Sequence, residues 1–193
     1  MNKLVVLFSV LAILYNLSLA QDQYKVYHWN EIHDSINPMS IKSLSLSKLK
    51  LDSLPKDILK YKNIESLDVS KNKLKTIPNW VDSFQLLTKI DLYKNDFEHF
   101  PKQILTLTQL DTLIISRNKL DSLPDQIKLL EKLQYLDLWD NLILYYPESI
   151  STLKNLKTID IRGVTYGPTL IEKLTSTLPW ATILYDEPCS CVE

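Results

Sequence analysis

Histidine and cysteine, two residue types that often carry out chemistry in enzymes, are few in this chain and form no recognisable catalytic arrangement. The three histidines are His28, His33 and His99, and the two cysteines are Cys189 and Cys191. They form no H-E-x-x-H zinc pattern, and no serine or cysteine lies in a motif that would activate it as a nucleophile. With only two glycines, the chain also lacks a glycine-rich phosphate-binding loop. We therefore predict that the protein is not an enzyme and has no cofactor.

One set of carboxylates recurs at a fixed interval of 23 residues or twice that interval: Asp68, Asp91, Asp137 and Asp160. If these residues lie on neighbouring strands about 4.8 Å apart, their charges repel and a calcium ion could bind between them. Against a metal site, Ile114 interrupts the acidic line, and a nearby column of lysine and arginine offsets the charge. We therefore predict that the aspartates bind no metal.

Aromatic side chains recur on the same predicted surface, at positions where a repeating scaffold does not require them. Aromatic residues and arginine are enriched at binding hot spots, and exposed apolar clusters often mark interaction sites. The alternative is ordinary surface scatter, or contact with a flanking loop. The predicted ligand-binding residues are Tyr93, Ile114, Tyr135 and Trp139 as anchors, with Lys94, Arg117 and Asp137 as orienting charges.

These residues are positioned by a leucine-rich unit that repeats every 23 residues. Its first apolar residues are Ile41, Ile64, Leu87, Leu110 and Leu133, and a sixth unit opens at Leu156. A period in this range predicts a solenoid, in which each unit packs only on its neighbours. Apolar residues alternate at the start of each unit, which predicts a short strand, and parallel pairing of these strands builds one sheet. A proline later in each unit favours a short helical turn on the opposite side.

An asparagine follows each strand in four units, where the backbone must turn sharply inward. These residues are Asn72, Asn95, Asn118 and Asn141. A buried amide both donates and accepts hydrogen bonds, so it can pair with backbone groups that water does not reach. We predict that this asparagine ladder is structural.

The two ends of the repeats carry different sequence. Residues 24–36 have helical spacing and precede Asn37-Pro38, which predicts a helical N-terminal cap. Residues 168–178 predict a helix and residues 181–185 a last strand. The predicted organisation is a signal peptide at 1–20, an N-terminal cap at 21–40, five full repeats and a partial sixth at 41–163, a C-terminal cap at 164–185 and a tail at 186–193.

The first 20 residues have the pattern of a secretory signal, with Lys3, an apolar run of about 12 residues and a Ser18-Leu19-Ala20 cleavage site. A membrane anchor is the alternative, but a span needs about 20 apolar residues. The Cys189-x-Cys191 spacing is too short for an unstrained internal bridge, so a monomer is favoured and a disulfide-linked dimer stays open. The net charge of −1 predicts no nucleic-acid partner. We expect a secreted or periplasmic protein with no membrane span after signal cleavage.

The pattern L-x-x-L-x-L-x-x-N-x-L-x-x-L-P-x-x-I, repeated from Ile41 to Val164, resembles the leucine-rich repeat family over about two thirds of the chain. The 23-residue form with proline, the leader and the cysteine-free front end resemble secreted bacterial members. The resemblance implies an α/β solenoid: a curved arc with a parallel concave sheet, short helical turns on the convex side, and protein binding, usually through the sheet. We predict a protein-binding module of unknown partner. The alternatives are self-association through the convex side, the last strand or the cysteines, and carbohydrate binding through the concave aromatic residues.

Overall fold

The computed structural model describes residues 25–32, 35–163 and 168–186. The predicted signal peptide, His33, Val164 and both cysteines lie outside these residues. Eight short strands pair in parallel, in chain order, in one open sheet. They are β1 (Val26–His28), β2 (Ser43–Ser45), β3 (Ser66–Asp68), β4 (Lys89–Asp91), β5 (Thr112–Ile114), β6 (Tyr135–Asp137), β7 (Thr158–Asp160) and β8 (Thr182–Leu184).

The middle residue of each repeat strand points into a continuous apolar core. From β2 to β7 these residues pair in register every 23 residues, as Leu67 does with Ile90 and Ile90 with Leu113. They are fully buried, and the apolar residue two places later in each unit is at most 1% exposed. Because each unit buries its apolar side chains only against the next, the stack confirms the predicted solenoid.

A five-residue 3-10 segment follows each repeat proline on the side opposite the sheet. The segments are Lys56–Lys60, Asn79–Ser83, Lys102–Thr106, Asp125–Leu129 and Glu148–Thr152. The prolines before them have φ between −68° and −77°, which the pyrrolidine ring enforces. The middle isoleucine or valine of each segment is buried, so the turn closes the core from behind.

The N-terminal cap differs from the predicted helix. Val26–His28 forms a strand that pairs in parallel with Ser43–Ser45, and two 3-10 turns follow at Trp29–Glu31 and Pro38–Ser40. The edge of β2 carries backbone groups that need partners, and an extended segment satisfies them whereas a helix does not. Valine and tyrosine at 26 and 27 also favour a strand.

The C-terminal cap consists of the predicted helix and strand. Helix α1 spans Pro168–Thr177, and β8 pairs with β7 so that Ile159 lies opposite Ile183. The step is 24 residues rather than the 23 extrapolated from the repeat, because an α-helix replaces the 3-10 segment of the other units. Leu174 and Leu178 cover the end of the core. In the part of the chain described, no helix has the length and apolar character to cross a membrane.

Candidate binding surface on the sheet

Where a repeat strand ends in serine or aspartate, that side chain accepts a hydrogen bond from the backbone N–H two residues later. Asp91 Oδ1 accepts a hydrogen bond from the Tyr93 N–H at 2.8 Å, and Asp137 Oδ1 accepts one from the Trp139 N–H at 3.0 Å. Asp137 Oδ2 also accepts from the Ser116 hydroxyl at 2.9 Å. Both carboxylates are half-buried, and burial raises the pKa of each above the usual aspartate value. The aspartate predicted as a ligand-orienting charge is therefore occupied within the fold, where it fixes the backbone that presents Trp139.

In the central units, the lysine and arginine column expected to offset the aspartates forms no ion pair with them among the described residues. After burial and the bond from the Tyr93 N–H, the pKa of Asp91 responds to Asp68 and Asp137, which raise it, and to Lys89, which lowers it. Lys89 lies on the same strand as Asp91. Of the column residues in the central units, Lys71 and Lys94 pair with no carboxylate among the described residues, and Arg117 pairs with Asp140.

The four ladder asparagines are buried and joined to each other through shared carbonyl oxygens. Asn118 donates to the carbonyls of Leu92 and Ile115, and its Oδ1 accepts from the Phe97 N–H at 3.1 Å. Each shared carbonyl also accepts from a neighbouring ladder asparagine. Because every buried side-chain polar atom described has a partner, the ladder is a structural element and not a binding site.

The residue next to each ladder asparagine has a left-handed backbone. Lys71, Lys94, Arg117 and Asp140 have φ between 51° and 56°, and Gly163 has φ of 86°. A Cβ on Gly163 would lie 2.8 Å from the Asp140 backbone and 3.0 Å from the Trp139 ring, so glycine is required where the indole lies against the next turn. The position directly before the left-handed residue holds Tyr93 in the third unit and Trp139 in the fifth.

Tyr93, Arg117 and Trp139 come together on that surface although they belong to three different units. The rings of Tyr93 and Trp139 have centroids 6.5 Å apart and planes only 7° from parallel. The two rings lie in the third and fifth units, and they meet across the fourth unit because the equivalent residue there is Ser116, which is small and 1% exposed. The Arg117 guanidinium lies 5.5 Å from the Trp139 centroid, and its Nη1 is 3.5 Å from the Tyr93 hydroxyl. We call these three residues the aromatic cluster.

Further charges surround the aromatic cluster. Arg117 Nε donates to Asp140 Oδ2 at 3.1 Å, and Lys71 Nζ lies 5.6 Å from the Tyr93 centroid. The hydrogen bond from Arg117 to Tyr93 raises the pKa of the guanidinium further, so the cation stays charged throughout the physiological range. The cluster thus offers two parallel rings and a fixed positive charge at one place.

The other predicted site residues lie around the cluster rather than in it. Ile114 is half-buried between Asp91 and Asp137 in the sheet register. Tyr135 begins its strand opposite Thr112 and Thr158, makes no ring contact with the cluster among the described residues, and has its pKa raised by burial. Lys94 is exposed.

Sequence reasoning missed an apolar surface on the turns of the fifth unit. Leu142, Leu144 and Tyr145 are 62%, 79% and 55% exposed. The equivalent positions of the first four units hold Lys, Asp, Glu, Ser, Thr or His. A position-by-position comparison of the units would have revealed the change, because these three residues are polar in every other full unit.

Within residues 25–32, 35–163 and 168–186, no three histidine, cysteine, aspartate or glutamate side chains are placed to hold a metal ion. His99 faces Asp121 at 3.4 Å on an exposed turn, away from the aromatic cluster.

Comparison with known proteins agrees with the repeat geometry. The model of the Leucine Rich Repeat family matches residues 63–84, which span nearly one unit. A leucine-rich repeat protein of Leptospira interrogans is 30% identical with a TM-score of 0.56, over 66% of this chain and 38% of that protein. The chain has the leucine-rich repeat fold. No curated protein sequence matches it.

Two further solved structures share the leucine-rich repeat fold. An internalin of Listeria monocytogenes has a TM-score of 0.59 at 18% identity, over 78% of this chain and 42% of that one. The third structure is the ectodomain of the Arabidopsis thaliana receptor kinase GASSHO1/SCHENGEN3 in complex with CASPARIAN STRIP INTEGRITY FACTOR 2. It has a TM-score of 0.57 at 26% identity, over 79% of this chain and 18% of that one. The chain spans less than half the length of each of these three proteins. Leucine-rich repeat folds are generally scaffolds for protein interaction, and typically not enzymes.

Proposed function

We propose that this leucine-rich repeat protein is a secreted, bacterial-type binding module that holds a protein partner on its concave sheet face. The aromatic cluster is the centre of the proposed site. Ile114, Tyr135, Lys94 and Asp137 flank it, with Asp137 acting through the turn of Trp139. The observation that carries the proposal is the placement of two parallel rings and an arginine where the core needs none of them.

The cluster has the properties of a binding hot spot. Tryptophan, tyrosine and arginine are the residues that most often contribute strongly at protein interfaces. The two rings and Arg117 already contact one another in the unbound protein, so little side-chain freedom remains to be lost on binding. Both rings are only half-buried, which leaves apolar surface for a partner to cover.

Two further lines support the proposal. The Arabidopsis ectodomain, which shares this fold, is in complex with CASPARIAN STRIP INTEGRITY FACTOR 2. For secretion, the support is the signal pattern of the first 20 residues. For a bacterial type, it is the 23-residue unit together with the Leptospira and Listeria proteins of similar fold.

The proposal is tested by capture on the immobilised chain with two matched double variants. Y93A/W139A removes one tyrosine and one tryptophan from the sheet face, and Y145A/W180A removes the same types from exposed positions elsewhere. A partner captured from extracellular or cell-surface extracts should lose at least about 30-fold in affinity with the first variant, since a hot-spot residue contributes about 2 kcal/mol or more. It should bind the second variant as it binds the native chain.

Three results would contradict the proposal. Equal binding by both variants would place the site elsewhere. A glycan-array signal lost only with Y93A/W139A, with no protein captured, would assign the cluster to carbohydrate. A dimer in light scattering that is lost with Y145A/W180A and not with Y93A/W139A would favour self-association.

A further inference from the structure

A second surface, beside the sheet, carries a regular set of lysines. Six exposed lysines lie on the turns of the first three units: Lys48, Lys50, Lys71, Lys73, Lys75 and Lys94. We call this surface the lysine rim. Backbone hydrogen bonds from Lys48 to Ser70, from Lys71 to Tyr93 and from Lys94 to Ser116 stack the three turns directly on one another. Lysines of equivalent position are therefore about 4.8 Å apart at the backbone, which is the spacing of the strands that precede them.

The fold does not require lysine at these positions. Lys48, Lys50, Lys71 and Lys94 have φ between 54° and 62°, a left-handed conformation that disfavours most side chains. Glycine adopts it freely, and Gly163 occupies the equivalent position in the sixth unit. The side chains are exposed, so they add nothing to the core.

Like charges lie side by side at two sets of equivalent rim positions, Lys48, Lys71 and Lys94 in one and Lys50 and Lys73 in the other, whereas Lys75 has Asp52 and Glu98 at the equivalent positions of the adjacent units. Cations on adjacent parallel segments repel one another. None of the six lysines forms an ion pair within the described part of the chain, whereas Lys119, further along the same edge, pairs with Asp96 at 2.8 Å. At Lys48, Lys71 and Lys94, lysine therefore combines a disfavoured backbone conformation with repulsion between neighbouring cations, and a polyanion bound along the rim would remove that repulsion.

We propose that the lysine rim binds a linear sulfated polysaccharide. A polymer with anionic groups at regular intervals matches cations that recur at a regular interval, and clusters of basic residues bind such polymers. A flat anionic membrane fits less well because a plane that reaches the lysines also meets the exposed Asp52 and Glu98, whereas a single polymer chain can follow Lys48, Lys71 and Lys94 alone. A nucleic acid fits less well because Tyr93, the aromatic residue beside Lys71 and Lys94, is already stacked against Trp139.

The rim meets the proposed protein-binding site at Lys71 and Lys94 but extends beyond it, so variants of its other lysines test the rim separately. Lys50, Lys73 and Lys75 lie outside the proposed protein-binding site, and the triple variant K50Q/K73Q/K75Q tests the rim alone. The matched control is K56Q/K60Q/K102Q, which removes three exposed charges from the 3-10 segments on the opposite side.

The probe is heparin, with binding measured by isothermal titration and by elution from a heparin column in a sodium chloride gradient. We expect salt-dependent binding, since each lysine that neutralises an anionic group releases counter-ions. The rim variant should bind about tenfold more weakly or worse and elute at lower salt, and the control should stay within about twofold of the native chain. The charge-conserving variant K50R/K73R/K75R should retain binding, which separates loss of charge from loss of structure.

Several outcomes would overturn the proposal. One is that heparin does not bind at 50 mM salt, which is about a third of physiological ionic strength. Another is that both glutamine variants lose heparin affinity equally. A third is that poly-L-glutamate competes as strongly as heparin, which would point to an acidic polypeptide. Binding to phosphatidylserine vesicles that heparin does not displace would assign the rim to a lipid surface. A heparin loss in W139A equal to that in the rim variant would show that the two surfaces are one site.

Discussion

Replacing Asn118 with alanine tests whether the asparagine ladder stabilises the fold as the hydrogen bonds indicate. The substitution removes one acceptor and two donors. The buried Phe97 N–H loses its partner, whereas the carbonyls of Leu92 and Ile115 each keep a bond from a neighbouring asparagine. An unsatisfied buried N–H costs about 1–3 kcal/mol and each lost donated bond about 1 kcal/mol, so N118A should lower the free energy of unfolding by about 3–5 kcal/mol.

The assay is urea unfolding followed by far-UV circular dichroism. With a slope of about 2 kcal/mol per molar urea, the midpoint should fall by about 1.5–2.5 M. Two further variants keep the test interpretable. N155A removes an exposed asparagine with one bond to the Glu131 carbonyl at 2.8 Å, and should cost at most about 1 kcal/mol. N118D keeps the acceptor for the Phe97 N–H but turns a second carboxylate oxygen toward two carbonyl oxygens.

N118D should therefore be strongly destabilised at neutral pH and recover as the pH falls. Its carboxyl, facing carbonyl oxygens in a buried position, has a higher pKa in the folded than in the unfolded state. The folded state therefore binds the proton more tightly, and stability increases as the pH falls through the raised pKa. A loss of less than about 1 kcal/mol in N118A, equal to that of N155A, would refute the argument and show that water satisfies the Phe97 N–H.

Three other predictions follow from the turns. G163A should lower stability by about 2 kcal/mol or more, because alanine is strained at positive φ and its Cβ would meet the Asp140 backbone; thermal unfolding measures this, and a change under about 0.5 kcal/mol would contradict it. D91N should be more stable than the native chain at pH 7, because it removes a half-buried charge and can still accept from the Tyr93 N–H. That advantage should shrink as the pH falls toward 3.8, the unfolded pKa, since protonation of the native carboxyl then stabilises the folded state. Urea midpoints of both chains at two pH values measure the advantage, and a difference that does not change with pH would contradict the prediction. L144K should change stability by at most about 0.5 kcal/mol, because the side chain is largely exposed, while reducing aggregation in light scattering; a large loss of stability would show that Leu144 packs against a partner surface.

The repeat fold could be predicted from the sequence because its apolar pattern recurs in every unit. The alternation of Leu113 and Ile115 means little in one unit, but six units with the same pattern exclude any explanation except stacking. The proline of each unit located the segment opposite the sheet correctly. The N-terminal cap occurs once, so its few residues gave only a helical spacing, and the unpaired edge of β2 determined the outcome instead.

The candidate site was accessible only in part. Its residues could be chosen because the units differ there, and Tyr93, Arg117 and Trp139 were among them. Their mutual contact could not be foreseen, because it depends on the small Ser116 between the rings. The hydrogen bond by which Asp137 holds its turn could not be foreseen either, because the sequence does not distinguish one aspartate between core residues from another.

The sequence by itself determined the repeat, the parallel sheet, the buried ladder and the absence of recognisable catalytic motifs, because these depend on residue type and spacing within one unit. Only the tertiary structure decided which outward-facing residues of different units meet, and which lysines remain without a partner carboxylate. Contacts between units depend on the stagger of the strands, the left-handed turns and the rotamers that neighbours permit. No single unit contains that information, because each surface is made by several units together.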